Sequence, residues 1–216
     1  MFVRSVWGHQ PGNKNLTDND KLKNVWITGA GKGIGRALAK LMVADGWTVA
    51  ATSRTTEDLS SLINECPNGK VFAFPLDVSD YEGTIATVYD IEKKMGNLDL
   101  VVLNAGTHSP VSATDFSTTS IRNLMEVNFM GTVHGLAEVI PKFIRNKKGH
   151  IAVVASLAGY RGLPSASAYG ATKAAIINMC EALRPELAEH GVRLTLINPG
   201  FVAVSYTHLT LPTNRE

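Results

Sequence analysis

Eight residues, Thr28-Gly29-Ala30-Gly31-Lys32-Gly33-Ile34-Gly35, constrain this chain more than any others. They follow the apolar run NVWIT and lead into a stretch, Gly33 to Asp45, in which Ile34, Leu38 and Leu41 share one helical stripe before Gly46 stops it. A strand that enters a helix through glycines turns tightly. Its bare backbone lets an anion approach the N–H groups and the positive end of the helix. A simple tight turn would use the same residues, so the remaining motifs must distinguish the two.

The same alternation recurs along the chain. The apolar runs TVAAT, VFAFP, LDLVVLN, HIAVVAS and RLTLINP are separated by helical stretches at Glu57 to Asn64, Tyr81 to Met95, about Ile121 to Ile144, and Tyr169 to His190. In the second of these, Ile85, Val88, Ile91 and Met95 lie on one face. Runs without in/out alternation are buried on both sides, as parallel strands between helix layers are. The expectation is an α/β fold, a Rossmann-like doubly wound parallel sheet of about six strands, with ligands at the carboxyl ends of the strands where their order reverses.

Composition narrows the function classes. The chain has 216 residues, 44% hydrophobic and 19% charged, with a formal net charge of +2, which suits one soluble domain able to bury a core without disulfides or a structural metal. Cys66 and Cys180 stand far apart in no ligand spacing, which points to a reducing compartment and no zinc site. No apolar run reaches the roughly 20 residues that span a bilayer, and residues 1–23 lack the apolar core of a signal peptide, so a cytoplasmic location and no membrane partner are expected. Basic residues are dispersed except at Arg145 to Lys148, read as a solvated helix end, so no nucleic-acid partner is expected. No GxSxG surrounds Ser156, which argues against a serine hydrolase. His108, His134, His150 and His190 read as loop or helix-surface residues.

Further motifs follow in order: Asp77-Val78 after the third strand, Asn104-Ala105-Gly106 after the fourth, Asn128 in the long helical stretch, Ser156 after the fifth strand, Tyr169-x-x-x-Lys173, and Pro199-Gly200 after the sixth. With the TGxxxGxG of Gly29, Gly33 and Gly35, they resemble the short-chain dehydrogenase/reductase family from about Asn24 to Val202. The resemblance implies a nicotinamide cofactor held by Gly29, Gly31, Lys32, Gly33, Ile34, Gly35, Ser53, Arg54, Asp77, Val78, Asn104, Ala105, Gly106, Tyr169, Lys173, Pro199, Gly200 and Val202. Asp77 and Val78 would border the adenine. Asn104 and Thr28 are as consistent with steadying turn backbone as with touching cofactor. After the second strand the chain reads Thr52-Ser53-Arg54-Thr55, with no acidic residue to take a ribose 2′-hydroxyl. Arg54 can fork onto a 2′-phosphate and Lys32 can add a second charge, although each could be a solvated loop cation, so NADP(H) is expected over NAD(H).

Tyr169 and Lys173, four apart at a helix start, share a face. A free phenol, with a pKa of about 10, is a poor acid at neutral pH, and a nearby ammonium lowers that value. Tyr169 could then exchange a proton with a carbonyl or alcohol oxygen. Ser156 would donate to the same oxygen, and the resemblance gives Lys173 the nicotinamide ribose and Asn128 an ordered water. The expected catalytic residues are therefore Asn128, Ser156, Tyr169 and Lys173, acting on a small-molecule carbonyl or alcohol. The stretch THSPVSATDFSTTS and residues Leu157 to Ser167, including Tyr160 and Arg161, could be substrate mouth or plain loop. By resemblance, the faces of the helices at Ile121 to Ile144 and Tyr169 to His190 pair between subunits as a homodimer or homotetramer.

Departures from the family pattern fall at the end. After Pro199-Gly200-Phe201-Val202 no Thr occupies the expected place, and the lid and last strand are missing. Val204 to Thr213 resembles a reading frame of a transposase adapter used in DNA library preparation. The expected organisation is a disordered lead at 1–23, an NADP-binding catalytic domain at 24–203 and a non-native tail at 204–216. An uncovered last strand is an exposed sheet edge, and a lidless site is open to water. The alternative to an active oxidoreductase is accordingly a catalytically impaired or non-catalytic NADP(H)-binding protein.

Overall fold

A computed structural model describes residues 23–200. The expected lead up to residue 22, the cofactor candidate Val202 and the suspected tail at 204–216 lie outside the described residues.

Six strands form one parallel sheet: β1 (Asn24–Thr28), β2 (Thr48–Ser53), β3 (Val71–Pro75), β4 (Leu100–Leu103), β5 (Gly149–Val154) and β6 (Val192–Ile197). Their spatial order is β3-β2-β1-β4-β5-β6, so the direction of winding reverses between β1 and β4. The helices are α1 (Gly33–Ala44), α2 (Thr56–Asn64), α3 (Tyr81–Met95), α4 (Thr118–Leu124), α5 (Gly131–Asn146) and α6 (Ser167–Glu189). The doubly wound Rossmann-like sheet expected from the apolar runs is the sheet observed.

Burial explains why those runs lack alternation. Val25, Ile27, Val49, Ala51, Leu100 and Val102 pack with Ala39, Met42 and Val43 of α1 and Leu59 and Leu62 of α2. On the opposite face, Trp26, Ala50, Val101, Leu103, Ile151 and Val153 meet α3, α5 and α6 through Val88, Ile91, Leu136, Val139, Phe143, Ile176 and Cys180. β1 and β4 are buried throughout, whereas the outer strands β3 and β6 are only partly covered. Trp26 is fully buried, and its indole N–H donates to Thr52 Oγ1 at 3.1 Å, so the polar edge of the ring is satisfied inside the core.

Two local readings change. The stretch expected as one long helix consists of α4 and α5 joined by a π-helical segment at Met125–Met130. His150 is a strand residue of β5, where its Nε2 pairs with Thr195 Oγ1 at 2.8 Å and burial, with Arg193 nearby, lowers its pKa to about 4. It is therefore neither loop nor helix surface but a half-buried strand position at the head of the apolar run HIAVVAS. His134 lies on α5 as expected, but its Nδ1 sits 2.9 Å from the Val78 carbonyl and its ring stacks on Tyr81. Arg145 to Lys148 does close a helix, with Lys147 in the left-handed region after Asn146.

Candidate active site

The reversal between β1 and β4 brings two loops together. Thr28, the last residue of β1, is buried, and its hydroxyl oxygen accepts from the backbone N–H of both Asn104 and Ala105, each at 2.9 Å. Asn104 returns the contact by donating Nδ2 to the Thr28 carbonyl at 2.9 Å and to the Gly29 carbonyl at 3.4 Å. The loop after β4 is thereby fixed against the loop after β1. In this structure both Thr28 and Asn104 steady backbone.

That backbone has little room for side chains. Gly29 has φ +67 and Gly33 φ +55, conformations that favour glycine. A Cβ on Gly35 would collide with the Gly29 carbonyl, and one on Gly31 would come within 2.7 Å of Ser53 Oγ. α1 begins here with no side-chain cap and no acidic residue in its first turn. α3, by contrast, has its Asp80 cap accepting from Gly83 N. The uncapped N–H groups of α1 thus remain available to an anion.

The cations expected near a 2′-phosphate are present, and each has a carboxylate beside it. Lys32 Nζ lies 3.2 Å from Asp58 Oδ2, and Arg54 Nη1 lies 4.0 Å from Asp77 Oδ2. The sequence showed no acidic residue at this place because Asp58 arrives from α2. Partial burial pushes the Asp77 carboxyl up, but hydrogen bonds from Ser79 and the Arg54 guanidinium outweigh that and hold it below the usual range. Val78 is buried, and its Cγ2 occupies the space a Cβ on Gly131 would need.

A second cluster lies at the ends of β4 and β5. Lys173 is buried, donates from Nζ to the Val154 carbonyl at 2.9 Å, and has its pKa lowered by burial to about 8. Its Nζ stands 5.7 Å from the Tyr169 ring centroid, so the helical spacing of four places ammonium and phenol side by side. Asn128, fully buried in the π-helical segment, clasps Thr107: Oδ1 accepts from Thr107 N at 2.7 Å and Nδ2 donates to Thr107 O at 2.9 Å. The same Nδ2 donates to Thr172 Oγ1, which donates to the Tyr169 carbonyl at 2.7 Å. A Cβ on Gly106 would reach 3.3 Å from Asn128 Oδ1 and 3.5 Å from Lys173 Nζ, which places Gly106 at the junction of the two. π-Helical turns occur often at functional sites, and here the extra residue in the turn carries the asparagine into the cluster.

Ser156 caps a short turn at Leu157–Gly159, accepting from Ala158 N at 3.2 Å and keeping its O–H available to donate. That turn packs on the start of α6, where a Cβ on Gly170 would meet the Ala158 carbonyl at 3.0 Å. Leu157 N donates to the Pro199 carbonyl at 3.1 Å, which brings the chain after β6 to the same edge, with Gly200 against Leu157. The loops after β4 and β5 are also tied together, since Val111 bridges Ala166 and Val111 N donates to the Ser165 carbonyl at 2.9 Å. Tyr160 accepts from Asn198 Nδ2 at 2.9 Å, whereas Arg161 is exposed.

Thr172 and Asp58 at this edge are not singled out by the sequence, and His108 reads there only as a loop residue within the candidate substrate mouth. Thr172 lies inside Tyr169-x-x-x-Lys173, and its i−3 bond to Tyr169 could have been read from that spacing. His108 meets the Tyr169 ring edge-on at 5.1 Å, and Asp58 pairs with Lys32, but both depend on tertiary approach. A surface groove of about 450 Å³ along β3 and α3, lined by Phe72, Phe74, Asp90, Lys93 and Lys94, shares no residue with the site. Among the described residues no cluster of His, Cys, Asp or Glu could hold a metal ion, and no helix is long and apolar enough to cross a membrane.

Comparison with known proteins agrees with this geometry. The short chain dehydrogenase family matches residues 23–214. An uncharacterized oxidoreductase of Staphylococcus aureus (strain USA300) is 32% identical over 190 residues, covering 88% of this chain and 82% of its own. A short-chain dehydrogenase from Streptomyces avermitilis superposes with a TM-score of 0.81 at 31% identity, covering 86% of this chain and 68% of that one. ElxO, solved with NADP bound, gives 0.81 at 29% identity, over 86% of this chain and 76% of its own. Glycine turn, Ser156, Tyr169 and Lys173 thus stand on the sheet edge of a protein similar to oxidoreductases along most of its length, and the chain belongs to the short-chain dehydrogenase family.

Proposed function

We propose that the protein is an NADP(H)-dependent oxidoreductase that interconverts a ketone or aldehyde with an alcohol, with Tyr169 as acid/base. The observation that carries this reading is the placement of buried Lys173 beside the Tyr169 ring, at the same strand ends as the glycine turn. The turn suits a dinucleotide: its glycines leave the backbone bare, and it opens a helix whose first N–H groups lack a side-chain cap. Gly29, Gly31, Gly33, Ile34 and Gly35 would hold the pyrophosphate, Asp77 and Val78 the adenine side, and Asn104, Ala105, Gly106, Pro199 and Gly200 the nicotinamide half. Val202 completes this set by family resemblance. Ser53, Arg54 and Lys32 would read the 2′-phosphate, and NADP in the related ElxO supports that choice.

When bound, the cofactor supplies or takes up a hydride at the substrate carbon. The chain's residues handle the proton. Tyr169 donates its phenolic proton to the carbonyl oxygen in reduction and removes one from the alcohol in oxidation. Lys173 favours the phenolate that remains, and its contact with the Val154 carbonyl fixes where that charge sits. Ser156 donates its O–H to the same substrate oxygen. Asn128 positions, binding Thr107 and Thr172 so that the loop after β4 and the second turn of α6 keep their spacing. By the same family resemblance the protein assembles as a homodimer or homotetramer.

Following NADPH absorbance across a panel of small ketones and aldehydes, with the alcohol identified as product, tests this reading. Stoichiometric NADPH loss and alcohol gain are expected. NADPH binding with no turnover on any carbonyl would favour a non-catalytic binding protein.

A further inference from the structure

We infer that Asp58, which no cofactor motif marks, is a specificity-determining residue that tempers the preference for a 2′-phosphorylated cofactor by holding Lys32. The inference rests on the NADP(H) reading above. Lys32 is the cation inside the glycine loop, and its ammonium lies 3.2 Å from the Asp58 carboxylate. Asp58 is held at its backbone and Cβ. Its Cβ lies 3.0 Å from where a Gly31 side chain would start, and Arg36 of α1 donates to both the Gly31 carbonyl at 3.2 Å and the Asp58 carbonyl at 2.9 Å. The Arg36 guanidinium also reaches Ser61 Oγ and Glu65 Oε1, so the first turn of α2 is clamped against the loop. Lys32 is the exposed partner, with 62% of its side chain accessible, against 21% for Asp58. It is therefore the lysine that must move.

The charges around the expected phosphate position cancel: Lys32 and Arg54 are positive, and Asp58 and Asp77 are negative and paired with them. A phosphate dianion arriving here competes with Asp58 for Lys32 and is repelled by the Asp58 carboxylate. A 2′-hydroxyl carries no charge and meets neither cost. Removing the Asp58 charge should therefore strengthen binding of phosphorylated ligands selectively, by an amount set by one largely exposed ion pair, about two- to fivefold.

Titrations of wild type, Asp58→Asn, Lys32→Met and the double variant with NADPH, NADH and 2′,5′-ADP test this, read as binding constants at fixed ionic strength. Asn keeps the side-chain shape and leaves the backbone contact with Arg36 intact. Asp58→Asn should bind NADPH and 2′,5′-ADP about two- to fivefold more tightly with NADH unchanged, and the gain should shrink when Lys32 is Met, leaving only the relief of direct repulsion. No tightening, equal tightening for NADH, or a gain undiminished without Lys32 would each overturn the role of Asp58. If the wild type binds NADH as tightly as NADPH, the cofactor reading fails and the proposal with it.

Discussion

Thr28→Val removes one oxygen from the point where the two halves of the sheet meet. Valine has nearly the same shape, so the packing of this buried residue is retained and no cavity opens. The hydroxyl, however, accepts from two backbone N–H groups, those of Asn104 and Ala105, each at 2.9 Å. Leaving a buried donor without a partner costs about 1–3 kcal/mol, so two of them set the loss at roughly 2–6 kcal/mol. Asn104 Nδ2 still holds the Thr28 and Gly29 carbonyls in the variant, which keeps the loss toward the lower end. Urea unfolding with an unchanged m-value measures it. Thr28→Ser is the control, since it keeps the acceptor and loses one methyl, about 1 kcal/mol. A valine variant within 1 kcal/mol of wild type, or no less stable than the serine variant, would show that the hydroxyl does not anchor the loop after β4.

Two other perturbations probe the same edge. Lys173 has its pKa lowered to about 8 from 10.5, so the unfolded chain binds more protons between those values and stability should rise with pH across that window, by roughly 3 kcal/mol at most. Lys173→Met should remove this rise, and the difference between the two unfolding profiles at pH 7 to 10 isolates it; parallel profiles would contradict the burial of the charge. Gly35→Ala drives a Cβ into the Gly29 carbonyl, whereas Gly162→Ala meets nothing within 4 Å. The first should weaken NADPH binding at least about tenfold and the second leave it unchanged, with equal titration curves as the outcome that would refute the tight cradle.

The order of elements was readable because each central strand is buried on both faces and the first helix stops at a glycine. The apolar runs of β1 and β4, and Gly46 after α1, needed no tertiary knowledge. The candidate residues were readable for a related reason: a doubly wound sheet places its strand ends at one edge, so Thr28, Asn104 and Ser156 had to come near one another once the strands were assigned. What could not be read depends on residues meeting from separate elements. Lys32 and Asp58 are joined only because α2 leans on the glycine loop, and Val111 and Ala166 only because two loops cross. Asn128 lies in a π-helical turn, whose additional residue per turn leaves no mark in a helical hydrophobic stripe. His150 follows two lysines and a glycine, and its half-burial comes from pairing with β4 and β6 rather than from its neighbours in sequence.

The acid/base assignment is tested most directly by Tyr169→Phe, which deletes the phenolic oxygen and keeps the ring beside Lys173 and His108. Measured side by side, the variant should bind NADPH with wild-type affinity while its kcat for carbonyl reduction falls about 10²- to 10⁴-fold, the contribution of a positioned general acid. Carbonyl reduction by Tyr169→Phe at near wild-type kcat, with NADPH bound equally well, would contradict the account.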